Sequence, residues 1–242
     1  MDINSTSSCP RHFALIPAAG VGARMGTTTP KQYMQIAGKP MMAHVLETFA
    51  ATPAVSHTFV VVSADDGYID DLMQTLPATI AQRTTILRCG GASRAESVLN
   101  GLNVMQQHTD NDWILVHDAA RPGITSALLN KLIATLATDD VGGLLALPVV
   151  DTLKHATDTR VDHTVPRAQL WAAQTPQMFR YGVLLTALTQ AQHHIDAITD
   201  DASAVEMLGF APKLVEGSPR NFKVTLPHDV ALAEFLLLKN EG

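Results

Sequence analysis

Cysteine is scarce in this chain. Cys9 and Cys89 are the only two among 242 residues, too few for a disulfide framework and set in no metal-binding spacing. Positive charge is not in excess either: 17 Lys and Arg stand against 23 Asp and Glu, a net charge of −6. With no basic stripe along the sequence, a general nucleic-acid or membrane-surface binder is disfavoured. Long apolar runs are missing, since stretches such as Gly142 to Val150 fall far short of the roughly 20 residues that cross a bilayer. The first ten residues hold no apolar segment of the signal-peptide kind, and no internal repeat or low-complexity tract is found. These absences lead us to expect a cytoplasmic protein with no nucleic acid and no membrane among its partners. Any anion site must be a local concentration of Lys and Arg on an acidic molecule.

What is present reads as an ordinary globular chain, 46% apolar and 17% charged, long enough for one large α/β domain or two small ones. Residues 1–11 read as a disordered tail. Phe13 to Ile16 then reads as a strand, opening into a loop that holds Gly20, Gly22 and Gly26, Arg24 and, after Pro30, Lys31. Glycines here let the backbone turn tightly and bring N–H groups close to a ligand, and two cations beside such a nest point to a polyphosphate. The loop is neither of the familiar phosphate devices. No glycine precedes a lysine followed by Ser or Thr, and the third glycine falls one place late for a dinucleotide fingerprint.

Strand and helix patterns then alternate. Met41, Met42, Val45, Leu46 and Phe49 recur at helical spacing after Pro40; Thr58 to Ser63 reads as a buried strand; a helix is expected over about 66–76 and a strand over 85–89, ending at Cys89. Ser93 and Glu96 have capping-box spacing ahead of a helix reaching about residue 107, and Thr125 is placed to cap another after the strand Trp113 to His117. Gly143 to Val149 gives a fifth strand. Residues from Asp151 to about Arg167 break the pattern and read as a β-hairpin excursion, an arm open to exchange with a second subunit. Beyond it come a turn at Gln174 to Gln177, a helix near Tyr181 to Gln190, another from Asp200 to a stop at Gly209, short strands around Leu214 and Phe222 to Thr225, and a last helix from Pro227. The alternation predicts a doubly wound, mainly parallel sheet in an α/β fold, whose ligands sit beyond the carboxyl ends of the strands. Three such loops carry the unusual residues: Gly20 to Lys31, Gly90 to Ser93 and Asp118 to Arg121.

The segments PAAGVGARMG, PKQY, GGASRAESV, VHDAARP, DTLK, TVPR, LWAAQTPQ, TDDASAVE and FKVT, in this order, closely resemble the 2-C-methyl-D-erythritol 4-phosphate cytidylyltransferases. The resemblance runs from about residue 12 to 238, a single Rossmann-like nucleotidyltransferase domain with its β-arm at about 151–168. One departure is Ala92, where many relatives carry an acidic residue. The resemblance implies transfer of a cytidylyl group from CTP to a methylerythritol phosphate, with release of pyrophosphate.

It also implies roles. Arg24, Lys31 and Lys223 match the catalytic cations around the triphosphate and the reacting phosphate. Pro17, Ala18, Ala19, Gly20 and Gly22 match the backbone cradle for CTP, and Gly91, Arg94 and Ser97 match positions around cytosine and ribose. Asp118 matches a residue that helps hold the substrates and, through water, the cofactor Mg²⁺. Arg121, Thr152, Arg167, Thr175, Thr199 and Asp200 match contacts to the polyol phosphate, Thr152 and Arg167 reaching it in the neighbouring subunit of a homodimer. Two other readings stay open at this point: a cytidylyltransferase for another polyol phosphate such as ribitol 5-phosphate, and a non-catalytic nucleotide-binding module.

Overall fold

The computed structural model describes residues 9–20, 29–106, 108–192 and 197–239. Its centre is strand β1 (His12–Pro17), buried along its middle. Alternate residues of β1 serve two cores. Ala14 and Ile16 face one apolar cluster, and Phe13 and Leu15 face the other, as the two-residue period of a strand requires. Around it lie β2 (His57–Val61), β3 (Thr84–Leu87), β4 (Trp113–Val116), β5 (Gly142–Pro148), β8 (Trp171–Arg180) and β9 (Lys213–Glu216), in the spatial order β9-β5-β8-β4-β1-β2-β3. All neighbours are parallel except β8, which runs antiparallel to both β4 and β5. The mainly parallel sheet expected from the alternation is therefore observed, with one antiparallel strand inside it.

Helices cover both faces. On one side α1 (Met41–Ala50), α2 (Ile69–Thr75), the short α3 (Ala78–Ala81) and α5 (Ser126–Leu136) deliver residues such as Leu46, Phe49, Leu72, Ile80, Leu129 and Leu132 to the first core. On the other, α4 (Arg94–Val104), α6 (Tyr181–Gln190) and α7 (Asp201–Met207) deliver Val98, Leu102, Leu184, Leu188, Ala202 and Val205 to the second. The last helix, α8 (Pro227–Leu238), starts on Pro227 as its first residue and packs Ala233 beside Ile36, Met41 and Val224. From β1 the chain winds outward to β2 and β3, then crosses back to β4 on the other side of β1. That reversal opens a crevice beyond the carboxyl ends of β1 and β4, where open α/β sheets bind ligands.

Several local expectations hold, each for a visible reason. Ser93 accepts from Glu96 N–H at 3.1 Å and Thr125 accepts from Leu128 N–H at 3.2 Å, satisfying donors that a helix start leaves over. Gly209, at φ +84°, ends α7 in the left-handed region that glycine tolerates. The arm is a two-stranded hairpin, β6 (Leu153–Thr157) and β7 (Arg160–Val165), forming its own small sheet with nearly all residues exposed. Asp158 and Thr159 join the strands at φ 47° and 67°, the positive pair that a two-residue hairpin turn needs.

Other expectations are corrected. The stretch Gln174 to Gln177 is no turn but the kinked middle of β8, where the register shifts between Ala173 and Gln177. Pro176 has no N–H for a ladder, so a central strand accommodates it only at such an irregularity. Phe222 to Thr225 forms no strand. It is an extended strap following a 3₁₀ turn at Pro219–Asn221, and Val224 N–H bonds to Ala120 O at 2.8 Å. The helix expected over 66–76 begins only at Ile69, because Asp66 turns its carboxylate onto the N–H groups of Tyr68 and Ile69. Strand β3 stops at Leu87, leaving Cys89 half-buried beyond it. Glu96 closes no capping box; its carboxylate takes Ala92 N–H at 2.7 Å.

Candidate active site

The crevice at the rim of β1 and β4 is a cleft of about 540 Å³. Its walls are Pro17 to Gly20 after β1, Lys31 and Gln32, Gly91 to Arg94 and Ser97 at the start of α4, Asp118 to Ala120 after β4, and Lys223 with Thr225 from the strap. The described parts of all three loops singled out in the sequence converge there. The volume falls within the usual range for small-molecule sites.

Close packing of small residues builds the walls. Were Gly90 to carry a Cβ, it would lie 2.3 Å from the Cβ of Ala19, so glycine lets the second loop close against the first. Gln32 Nε2 donates to Ala18 O at 2.7 Å and Ser63 Oγ to Ala19 O at 3.1 Å. These two carbonyls are thereby fixed, and so is the backbone cradle. Gly91 N–H donates to Ser97 Oγ at 3.0 Å, and that hydroxyl donates to Ser93 O; Gly91 and Ser97 thus shape the wall through an internal bond.

Two cations from opposite ends of the chain meet at this cleft. Lys31 sits on the 3₁₀ turn Lys31–Tyr33, anchored by the buried neighbours Gln32 and Tyr33, and its Nζ reaches Val224 O at 3.5 Å. Lys223, one residue earlier on the strap, places its Nζ 2.8 Å from Asp118 Oδ2. The strap is held in place by Arg121 Nη1 donating to Asn221 O at 2.8 Å and by Asn221 Nδ2 donating to Thr175 O at 2.7 Å.

Asp118 is the hub. Arg94 Nε donates to its Oδ1 at 2.8 Å, Lys223 holds Oδ2, and Arg121 Nε stands 3.7 Å from Oδ2. Burial alone would favour the neutral acid, yet Arg94, Lys223 and Arg121 together hold the carboxyl far below the usual range. It is an anion at any physiological pH. Arg94 also bonds Asp201 Oδ2 at 2.9 Å; burial pushes the Asp201 carboxyl up, partly offset by that guanidinium.

Beneath the hub lies a fully buried relay. Asp118 N–H donates to Thr175 Oγ1 at 3.0 Å, Thr175 pairs with His117 Nδ1 at 3.0 Å, and His117 Nε2 faces Arg121 O at 3.2 Å. With a carbonyl at Nε2 and a hydroxyl at Nδ1, the consistent assignment is a neutral ring that donates from Nε2. Burial lowers the His117 pKa from 6.5 to about 4. The unfolded chain therefore takes up a proton first as pH falls from 6.5 toward 4, and stability is lost over that window. From pH 7 to pH 5 this one group removes about 2 kcal/mol. Urea unfolding at the two pH values is expected to show that loss in the wild type and a clearly smaller one in His117→Gln.

The structure brings Lys31, Lys223, Arg94, Asp118 and the Pro17 to Gly20 backbone into one cleft, with Arg121 beside it. Gly22 and Arg24 lie outside the described residues. Thr175 is not at the cleft surface, because its hydroxyl is spent on Asp118 N–H and His117. Asp200 caps α7 through Oδ1 and takes Gln177 Nε2 on Oδ2 at 2.7 Å, so both oxygens serve the fold. Thr199 is exposed near that cap. Thr152 and Arg167 stand at the exposed base of the arm, where Arg167 Nη1 bonds Val150 O; neither lines the cleft of its own chain. Sequence reasoning missed Gln32, His117, Asn221 and Asp201. Gln32, His117 and Asp201 lay inside quoted motifs, PKQY, VHDAARP and TDDASAVE, so a signal was present; Asn221 offered none.

As a metal site the cleft offers one carboxylate, Asp118, and both of its oxygens are taken by cations. Among the described residues no three His, Cys, Asp or Glu side chains are grouped to hold a metal ion. Magnesium wants oxygen ligands in near-octahedral array, and these residues do not fit a metal ligated directly by the protein. Among the described residues, too, no helix is long and apolar enough to cross a membrane.

Comparison with known proteins adds independent findings. The family model for IspD, 2-C-methyl-D-erythritol 4-phosphate cytidylyltransferase, matches residues 12–239. A curated relative of that name from Paraburkholderia phymatum is 51% identical over 232 residues, covering 94% of this chain and 96% of its own. Another, from Nitrosospira multiformis, is 53% identical over 232 residues, covering 94% and 97%. The crystal structure of a 4-diphosphocytidyl-2C-methyl-D-erythritol synthase superposes with a TM-score of 0.82 at 41% identity, over 96% of this chain and all of that one. The Francisella tularensis 2-C-methyl-D-erythritol 4-phosphate cytidylyltransferase superposes with a TM-score of 0.81 at 32% identity, over 93% of this chain and 99% of that one.

Proposed function

We propose a division of labour in the cleft from the premise that this chain belongs to the 2-C-methyl-D-erythritol 4-phosphate cytidylyltransferase family. The protein is a nucleotidyltransferase that moves the cytidylyl group of CTP onto 2-C-methyl-D-erythritol 4-phosphate. The products are 4-diphosphocytidyl-2-C-methyl-D-erythritol and pyrophosphate, on the non-mevalonate route to isoprenoid precursors. An oxygen of the acceptor phosphate attacks the α-phosphorus of CTP, and the bond from that phosphorus to the β-phosphate bridging oxygen breaks. Little covalent help is needed. The barrier lies in bringing two anions together, so positioning and fixed positive charge carry the catalysis.

Lys31 is the cation at the α-phosphate, where charge accumulates as the bond to pyrophosphate breaks. Lys223, oriented by Asp118, holds the attacking phosphate against it. The Pro17 to Gly20 backbone receives the phosphates, and Gly91, Arg94 and Ser97 wall the nucleoside. The observation that carries this reading is the meeting of Lys31 and the Lys223 strap over one cleft. Mg²⁺, which these residues do not ligate directly, would supply counter-charge to the CTP triphosphate. The cytoplasm suits a chain with two unpaired cysteines.

For the second substrate, with Lys31 and Arg94 assigned to CTP, the described residues leave Lys223 in the cleft and Arg121 beside it. Thr152 and Arg167 stand apart on an exposed arm, so we assign them to the cleft of a second copy in a homodimer. Pyrophosphate release is measured with CTP, Mg²⁺ and either methylerythritol phosphate or ribitol 5-phosphate. Release with the former alone is expected, and release only with the latter overturns the acceptor. Arg167→Ala is expected to raise the acceptor KM at least tenfold, leaving the CTP KM within about twofold, on the scale of one lost charge-assisted bond. Equal rises in both would remove Arg167 from acceptor binding.

A further inference from the structure

Arg94, the first residue of α4, spans two carboxylates that belong to different elements. Its Nε meets Asp118 at the end of β4, and its Nη2 meets Asp201 in the first turn of α7. Asp118 has Lys223 and Arg121 beside it as well. Asp201 has Arg94 as its one ion-pair partner among the described residues, and its buried Oδ1 finds no hydrogen-bond partner there. It is 1% exposed and does not line the cleft, so it cannot touch a substrate. A carboxylate buried with one oxygen unsatisfied is costly to the fold. Its effect falls on Arg94, whose side chain is 28% exposed and does line the cleft.

We propose that Asp201 is a positioning residue for CTP, fixing the plane of the Arg94 guanidinium so that its remaining N–H groups face the nucleoside. The inference deepens the reading of the cleft as a CTP site and rests on it. A single anchor at Nε leaves a long side chain free to pivot; a second anchor at Nη2, from another element, sets the orientation of the planar fork. The same pairing decides what Arg94 recognises. With two carboxylates against it, the guanidinium has little net field to offer a triphosphate, whose charge falls to Lys31 and Lys223. It remains a rigid set of hydrogen-bond donors, suited to the neutral oxygens of a ribose or cytosine.

The test is a double-mutant cycle on the full-length protein, with CTP affinity read by calorimetry and KM and kcat by pyrophosphate release. Asp201→Asn, nearly isosteric, is expected to weaken CTP about tenfold, with kcat and the acceptor KM within about twofold. Asp201→Ala is expected to weaken it further. In an Arg94→Gln background, Asp201→Asn is expected to change CTP affinity less than twofold. A wild type that turns over while Asp201→Asn binds CTP normally overturns the inference alone; so does a tenfold loss that persists in the Arg94→Gln background. A wild type that binds no CTP overturns the nucleotide reading, and this inference with it. If Asp201→Asn fails to fold, the double variant, which removes both charges, is compared with Arg94→Gln; equal CTP affinity supports the coupling and unequal affinity refutes it.

Discussion

Lys31→Ala is expected to lower kcat by about a hundredfold or more, the scale of losing one preorganised charge at a transition state. The expectation rests on where the rest of that turn is anchored. Gln32 is tied to Ala18 O, and Tyr33 donates its hydroxyl to Asp66 at 2.8 Å and stacks on Tyr68 with ring centres 5.2 Å apart. Those bonds do not involve the lysine, so truncation removes charge and leaves the turn in place. The melting temperature should therefore change little while turnover collapses. Lys31→Arg is expected to restore part of the rate only, since a planar fork does not replace a compact ammonium. Steady-state pyrophosphate release on the folded variants decides the matter. A two- or threefold drop would remove Lys31 from the chemistry.

Asp118→Ala acts in the opposite manner, on the fold as well as the rate. It strips the shared anion from Arg94, Lys223 and Arg121 and leaves buried positive charge uncompensated. The expected cost is about 3–5 kcal/mol, as for breaking other buried pairs, with turnover lost because Lys223 no longer has its anchor. Urea unfolding at pH 7 reads the first effect. Because the folded-state pKa of Asp118 is depressed, its stabilisation is complete above the ordinary carboxylate range and is lost only as pH falls through that depressed value. Between pH 7 and 5 the gap between wild type and Asp118→Ala should hold nearly constant, in contrast to the loss assigned to His117. A gap that closes across that interval would mean that Asp118 is not held as an anion by its neighbours.

The strands and helices around β1 were legible because their signals are local. β-branched runs, 3.6-residue spacing and the caps Ser93 and Thr125 each act within one or two turns of chain. The converging loops were legible for a related reason: a parallel sheet sends every strand end to the same rim. What stayed hidden depends on contacts distant in sequence. Gln174 to Gln177 has turn composition, and only pairing with β4 and β5 makes it a strand. Phe222 to Thr225 has strand composition, and the bond of Val224 to Ala120, with Asn221 just before it tied to Arg121 and Thr175, makes it a strap. Thr175 and Asp200 looked like substrate contacts from their motifs, yet Thr175 spends its hydroxyl on His117 and Asp118, and Asp200 gives one oxygen to Gln177 and the other to the start of its own helix. Asp201 was inconspicuous beside Asp200 until Arg94 was seen between the two acids.

The strap has a consequence for how the protein comes off the ribosome. The loops that line the nucleotide half of the cleft are translated by about residue 120, whereas the second lysine follows a hundred residues later and docks against a strand end made long before. A nascent chain can thus complete much of the sheet and still lack the means to hold an attacking phosphate. The strap at residues 219–225 is thus the last part of this chain's own cleft to be made.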